Sequence, residues 1–352
     1  MLLAIAAGSV LSLPLAGPAV TRFGSRQVVA AMAVLLGVSL AVAGIGHLAG
    51  VVPLVIGLFF FGLANGAWDV AMNVQGARVE RELGRSVMSR FHAGWSCGTV
   101  AGAGVAALAV EAGIPVAVHL TVVAVVVAVV VPLRTRRFLA DAAEPGRSTV
   151  DGRRARTAWR EPRTLLIGVF VLTFAFAEGA ANDWVSVSLV DDHDASAAVG
   201  AVGFAVFLTA MTTARWFGPA LLDRFGRVPV LRTCAAVAAA GLGLYVLAPG
   251  IPLALLGALV WGAGTSLGFP TGMSAAADDP VRAAVRVGVV SSIGYCAFLG
   301  GPPLIGVLGE HVTVLRALLV VAAGLAVAAA ITPALRRPDA LSTTQRRADP
   351  RR

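Results

Sequence analysis

The chain contains no lysine; all 28 of its basic residues are arginine. That absence removes phosphate-loop lysines, Schiff-base lysines and Ser–Lys dyads. Cysteine is scarce: Cys97, Cys234 and Cys296 fall inside apolar runs, with neither disulfide nor metal-ligand spacing, and are expected to be small buried residues. HExxH, GxSxG, Walker-loop and paired intramembrane Asp motifs are also missing, which argues against a zinc peptidase, a serine hydrolase and an ATP-driven pump. No metal or cofactor is expected, and no enzymatic activity. Charge is sparse too. Only 13% of the 352 residues are charged, whereas 57% are hydrophobic and the mean hydropathy is +0.83.

What is there is apolar sequence in long runs of Ala, Val, Leu and Gly. Runs of 18 or more residues with almost no charge are too long for core helices and long enough to cross the ~30 Å hydrocarbon layer. They lack the dyad alternation of a barrel, so the expected fold is an all-α membrane protein with the lipid bilayer as its main partner. Spans are expected near 2–20, 28–47, 53–74, 90–110, 114–133, 164–184, 198–217, 229–248, 252–272, 286–308 and 313–335. The loops 21–27, 75–90, 134–163, 218–228 and 273–286 and the tail after Thr332, together with Arg215 and Arg232, hold every arginine but Arg316. The intervening loops and adjoining span ends carry Glu111, Asp183, Asp191, Asp192, Asp194 and Glu310 instead. By the positive-inside rule the Arg-rich loops are cytoplasmic. The net charge of +9 is therefore read as orientation, not as a nucleic-acid surface.

The sequence also repeats. "RFG" at 22–24 returns at 224–226, "FG" at 61–62 faces "WG" at 261–262, and Met72 is matched by Met273. These shifts of about 200 residues suggest two parallel helix bundles, the layout of a transporter with two six-helix halves. The expected parts are an N-terminal bundle at 1–133, a cytoplasmic linker at 134–163, a C-terminal bundle at 164–335 and a basic tail at 336–352. The basic turn follows the first span of one half and the second span of the other. One helix is thus expected to be missing at the front, through a start site lying upstream or a shortened chain.

Two turns carry a family resemblance. "GPAVTRFGSR" offers Gly17, Arg22, Gly24 and Arg26, with Thr21 where an acid would stand. "GPALLDRFGR" offers Gly218, Asp223, Arg224, Gly226 and Arg227, with one extra residue in the spacing. With "NGAWDVAMNVQGARVERELGRSVMSRFHAGWSCGTVAGAG" at 65–104 and "AEGAANDW" at 177–184, the chain resembles the major facilitator superfamily. Within it, the likeness is to a bacterial branch near the fucose–proton symporters. The resemblance implies alternating access to one midplane site, with the two basic turns forming a gate on the inner face. It further implies a monomer that moves a small solute, with protons as the coupling ion and a sugar or polyol as cargo. Drug or metabolite efflux is the alternative, as is a truncated protein that transports nothing; "GWSCGTVAGAG" at 94–104 lacks the Gly-Pro-x-x-Gly-Gly pattern of drug antiporters.

Ionisable residues inside a span are functional candidates by default. Asn65, Asp69 and Asn73 share a helix face at i, i+4 and i+8, and His92, Ser96 and Thr99 share another on the next span. Asp69 lies about 24 Å from Pro53 at 1.5 Å per residue, at a depth similar to His92. The two form a candidate carboxylate–imidazole proton relay, or a structural hydrogen bond between helix ends. Glu178 and Asn182 share a face of the sixth span, about 21 Å from Thr164 and so in the outer third. Glu178 has no basic neighbour in sequence and is a candidate for proton coupling or for binding a solute hydroxyl. Trp261, Thr265, Ser291 and Tyr295 are candidates for a central cavity, where aromatic faces suit sugars, and ordinary helix packing explains them equally well. "GGPPLIG" at 300–306 is expected to kink its helix, and Arg215 to snorkel to the cytoplasmic surface.

Overall fold

The computed structural model describes residues 2–139 and 157–338. Of the expected linker, 140–156 lie outside the described residues, as do 339–352 of the tail. The helices are α1 (Leu2–Phe23), α2 (Ser25–Ala49), α3 (Val51–Leu83), α4 (Met88–Glu111) and α5 (Val116–Thr135). After them come α6 (Pro162–His193), α7 (Ala197–Phe217), the short α8 (Pro219–Phe225) and α9 (Arg227–Val246). Then follow α10 (Ile251–Thr265), α11 (Gly268–Ala276), α12 (Ala283–His311), α13 (Val314–Ala317) and α14 (Leu319–Ile331), closed by a 3₁₀ turn at Thr332–Leu335. Eleven helical stretches among the described residues are long and apolar enough to span a bilayer, with α10 and α11 making one stretch between them. The fold is an all-helical membrane fold.

Several helices outrun the spans expected from hydropathy. Helix α3 continues past residue 74 to Leu83, and α6 past 184 to His193, so most of the acidic segment 185–197 is helix instead of loop. An apolar window sees only the lipid-depth portion of a helix, while the backbone keeps its own hydrogen bonds beyond it. Helix α6 stops at Asp194, in the left-handed region at φ 52°, whose N–H bonds the Leu189 carbonyl. The expected span 252–272 is broken at Ser266–Leu267 into α10 and α11, and Pro270, which has no N–H, leaves the Ser266 carbonyl without its i+4 donor. Helix α12 runs unbroken through Pro302 and Pro303.

The two basic turns are built alike. Gly24 at φ 86° and Gly226 at φ 81° each stand at the N-cap of the next helix, a backbone state that favours glycine. Arg22 lies 5.2 Å over the Phe23 ring and Arg224 lies 5.0 Å over the Phe225 ring.

Helices pack in two groups. In one, α1 and α2 lie on α3, and α2 lies on α5. In the other, α6 lies on α12, α7 and α14, and α9 lies on α10 and α14. The groups meet along α1 against α12 and α4 against α7. Because lipid gives helices no hydrophobic reason to associate, close approach at small residues does the work. Gly17 sits against α12 so tightly that a Cβ there would come within 2.7 Å of the Ala284 carbonyl oxygen. The cysteines correct the expectation of buried thiols: Cys97 and Cys296 are exposed on α4 and α12, and Cys234 is half-buried. An apolar residue on a membrane helix has lipid as an alternative to the interior, so hydropathy does not tell the two apart.

Gly17→Val should lower stability by about 1–3 kcal/mol through overpacking of the α1–α12 crossing. Gly94→Ala, at a position open to space on α4, should leave the detergent-solubilised melting temperature within a degree or two of wild type. A Gly17→Val protein that melts with Gly94→Ala would show that the crossing is loose.

Candidate translocation site and the Arg-rich closure

At mid-depth, the two helix groups are joined by a polar network. Arg215, two residues from the end of α7, is only 1% exposed. Its Nη2 lies 2.6 Å from Glu178 Oε2 on α6, Nη1 donates to Ser96 Oγ on α4 at 3.1 Å, and Nε donates to the Ser266 carbonyl at 3.2 Å. The expectation that Arg215 snorkels to the surface is therefore wrong: its side chain turns inward, where a carboxylate, the Ser96 hydroxyl and the Ser266 carbonyl, which Pro270 leaves without a helical donor, satisfy the guanidinium. Glu178 is likewise not a lone acid of the outer third. In a helix that runs from Pro162 to His193 it stands at the middle.

Asp69 and His92 are near one another but not paired. Asn73 stands between them. Its Nδ2 donates to the Asp69 backbone carbonyl at 2.9 Å and to Asp69 Oδ1 at 3.2 Å, and its Oδ1 lies 3.2 Å from His92 Nε2. With the amide committed to Asp69, Asn73 Oδ1 must accept, so His92 carries its proton on Nε2. His92 packs edge-on to Phe269 of α11 with ring centroids 5.4 Å apart. The direct carboxylate–imidazole contact is replaced by a chain through the Asn73 amide.

Asp69 Oδ2 is buried with no hydrogen-bond partner among the described residues. Around it stand Ser291 and Tyr295 of α12, and Tyr295 is also within reach of Asn65. Tyr295 stacks edge-on against Phe298 at 5.8 Å. Ser291 turns its hydroxyl to Met273 Sδ at 3.7 Å. Other candidates lie elsewhere. Trp261 is fully buried inside the second helix group, between Phe207 at 5.3 Å and Tyr245 at 6.0 Å, and Thr265 bonds the Trp261 carbonyl. Neither faces the seam, because α10 turns that side to α7 and α9. Asn182 is exposed on α6, one turn beyond Glu178.

The Arg-rich end is closed across the same seam, by residues sequence reasoning passed over. Glu80, near the end of α3, accepts the Val87 and Met88 amides at 2.8 and 2.9 Å through Oε2, and the Ser274 hydroxyl of α11 through Oε1. Ser274 Oγ also accepts Arg227 Nη2 at 2.8 Å, and Arg227 Nη1 lies 2.8 Å from Asp278 Oδ1. Arg81 Nη1 donates to the Ala277 carbonyl at 2.9 Å and Arg90 Nε to the Trp216 carbonyl at 3.2 Å. Asp223 caps the Ser86 amide at 2.9 Å instead of pairing with an arginine. The signal that could have found this end was mixed charge: the loops at 75–90 and 273–286 carry Glu80, Glu82, Asp278 and Asp279 among their arginines.

The N-terminal turn contributes shape more than charge. Thr21 bonds its own helix at the Gly17 carbonyl, 2.9 Å away, and Arg22 and Arg26 are exposed. Gly218 lies under Leu267, where a Cβ would come within 2.6 Å of its side chain. Beyond the seam, Glu161 at the start of α6 accepts Arg286 Nε at 2.6 Å and is bonded to Arg282. Burial raises the Glu161 carboxyl, but the Arg286 and Thr164 hydrogen bonds and the nearby arginine charges outweigh it and hold it below the usual carboxylate range.

These features have known counterparts. The Major Facilitator Superfamily profile matches residues 1–280 and 184–351. The chain is 33% identical over 339 residues to an uncharacterized transporter, y4wD, of Sinorhizobium fredii, covering 96% of this chain and 88% of that one. It is 30% identical over 332 residues to the membrane protein MosC of Rhizobium meliloti, covering 94% and 79%. Among solved structures, the fucose:proton symporter FucP of E. coli superposes with a TM-score of 0.80 at 15% identity, over 95% of this chain and 90% of that one. FucP in an outward conformation gives the same score at 14% identity, covering 95% and 89%. The chain belongs to the Major Facilitator Superfamily. It is a multi-pass membrane protein of a transporter family.

Arg215→Gln strips Glu178 of its partner and should cost about 3–5 kcal/mol, the range for breaking a buried pair. Adding Glu178→Gln should return most of it, since two neutral amides can bond each other. Denaturant titration of all four proteins checks this; a double variant no more stable than Arg215→Gln would mean that the pair contributes nothing as a unit.

Proposed function

We propose that this protein is a secondary transporter that takes up a small uncharged polar solute, of sugar or polyol type, together with a proton. It works by alternating access, through rocking of two bundles, 1–133 and 164–335, about the seam. The Arg-rich loops face the cytoplasm, as their near-monopoly of arginine favours. The closed Arg-rich end then makes the structure outward-facing, which agrees with its likeness to FucP in that conformation.

The observation that carries the proton assignment is the unpartnered Oδ2 of Asp69. A carboxylate oxygen at lipid depth without a donor is costly, whereas the protonated acid can donate to a neighbour. Glu178 differs, because Arg215 meets its charge in place. Asp69 is thus assigned the travelling proton, and the Glu178–Arg215 pair a fixed charge that shapes the site. Asn65, Tyr295, Ser96 and the exposed part of Glu178 offer donors and acceptors for hydroxyls, with the Tyr295 ring as an apolar face. Two relatives by fold, the fucose:proton symporter and the proton:xylose symporter XylE, support this cargo class.

In proteoliposomes offered a panel of labelled sugars and polyols, a cargo should accumulate when the outside is acid. Asp69→Asn should abolish that accumulation, a loss of at least tenfold, yet keep exchange of labelled for unlabelled solute at equal pH. Loss of both activities by a well-folded Asp69→Asn protein would remove the proton assignment. Accumulation with no response to pH would remove symport itself.

A further inference from the structure

The Arg-rich closure does not end at Arg227. Asp278, which holds Arg227, is 7% exposed and is shared with a second arginine, Arg163. Arg163 Nη2 lies 2.6 Å from Asp278 Oδ2. The same guanidinium donates Nε to the Ala334 carbonyl at 3.0 Å and Nη2 to the Arg336 carbonyl at 3.1 Å. Arg163 is at the second position of α6, directly after the linker, and Ala334 and Arg336 belong to the turn that ends the last helix. One continuous chain of bonds therefore runs from the C-terminal turn through Arg163, Asp278, Arg227 and Ser274 to Glu80 in the other helix group.

We propose that Arg163 is a positioning residue of the closure, and that through it the attachment of the C-terminal turn sets how firmly the Arg-rich end stays shut. The charges make this specific. Asp278 stands between Arg163 and Arg227, and Arg81 also acts on Asp278 and Glu80, so arginines outnumber the acids here and the Asp278 carboxylate is the joint that Arg163 and Arg227 share. Asp278 Oδ2 receives Arg227 Nη1 at 3.0 Å as well as Arg163, which pins the carboxylate plane. With that plane fixed, the Arg227 fork presents Nη2 to Ser274, and Ser274 spends its own proton on Glu80. Remove Arg163 and Asp278 keeps one cation but loses its fixed orientation, so Arg227 is free to leave the seam. Release of the turn from Arg163 does the same from the far end. Whatever draws residues 334–336 away from α6 favours the form open at the Arg-rich end.

The test needs no solute. The three native cysteines are replaced by serine, and Ser89→Cys is introduced as a reporter; Ser89 is 1% exposed and lines a small cavity at the seam with Glu80, Arg227 and Ser274. Reaction with a permeant maleimide then reads opening of the closure. Arg163→Ala should speed labelling about tenfold, and Arg163→Lys, which keeps charge and donors, should restore most of the protection. Ending the chain after Pro333, which removes both carbonyls that Arg163 bonds, should speed labelling in the Arg163 protein but add nothing in Arg163→Ala. Acceleration by truncation of equal size in both backgrounds would show that the turn acts by another route, and overturn the coupling. Unchanged labelling in Arg163→Ala, with melting temperature lowered or not, would overturn the positioning role.

Discussion

A charged pair held at the depth of lipid governs the rest of this structure. The hydrocarbon layer supplies no hydrogen bonds, so a guanidinium placed there must find every partner within the protein. Arg215 finds them on three helices besides its own run: Glu178 on α6, Ser96 on α4, and the Ser266 carbonyl at the α10–α11 break. Each contact explains a feature that looks arbitrary alone. Pro270 has no N–H to give the Ser266 carbonyl, so that carbonyl is left as an acceptor for the guanidinium. The serine on α4 draws the two helix groups together where neither has a hydrophobic reason to meet.

That arrangement sets two carboxyls apart. Glu178 has Arg215 as its ion-pair partner. Asp69 has the Asn73 amide and hydroxyl neighbours but no ion-pair partner among the described residues. The proposed coupling rests on that difference, since a group that couples two events must be free to change state while its surroundings stay fixed. The closure at the Arg-rich end has matching economy. It consists of a few charge-assisted bonds, each worth about 1.5–3 kcal/mol, together with a glycine-lined crossing. A closure of that size is within the reach of solute binding; a fully apolar seam would not be.

Much of this was legible from residues alone, and the failures share a cause. Spans, repeats and the i, i+4 face of Asn65, Asp69 and Asn73 follow from the helical period and the bilayer's thickness. Arg215 was misplaced because it stands near a helix end, where an arginine usually reaches for water. Yet Glu178, an acid alone in a span, demands a cation, and only Arg215, Arg232 and Arg316 stand apart from the basic loops. Trp261 was taken as a cavity residue because aromatic character does not reveal which side of a helix faces its own bundle. Glu80, Asp278 and Arg163 were invisible as a set, since 115 residues separate Arg163 from Asp278 and only the fold joins them.

The repeat sharpens the same point. Ser25 and Arg227 each follow the left-handed glycine of their turn, 202 positions apart. Ser25 donates to Gln75 at 2.9 Å, a buried bond between neutral groups within one helix group. Arg227, its counterpart, meets Asp278 and, through Ser274, the other group's Glu80. The second copy thus joins a charged chain that crosses between the helix groups, and Thr21 stands where that copy has Asp223. Such a chain ties the two groups to one another, whereas the Ser25–Gln75 bond ties helices of one group.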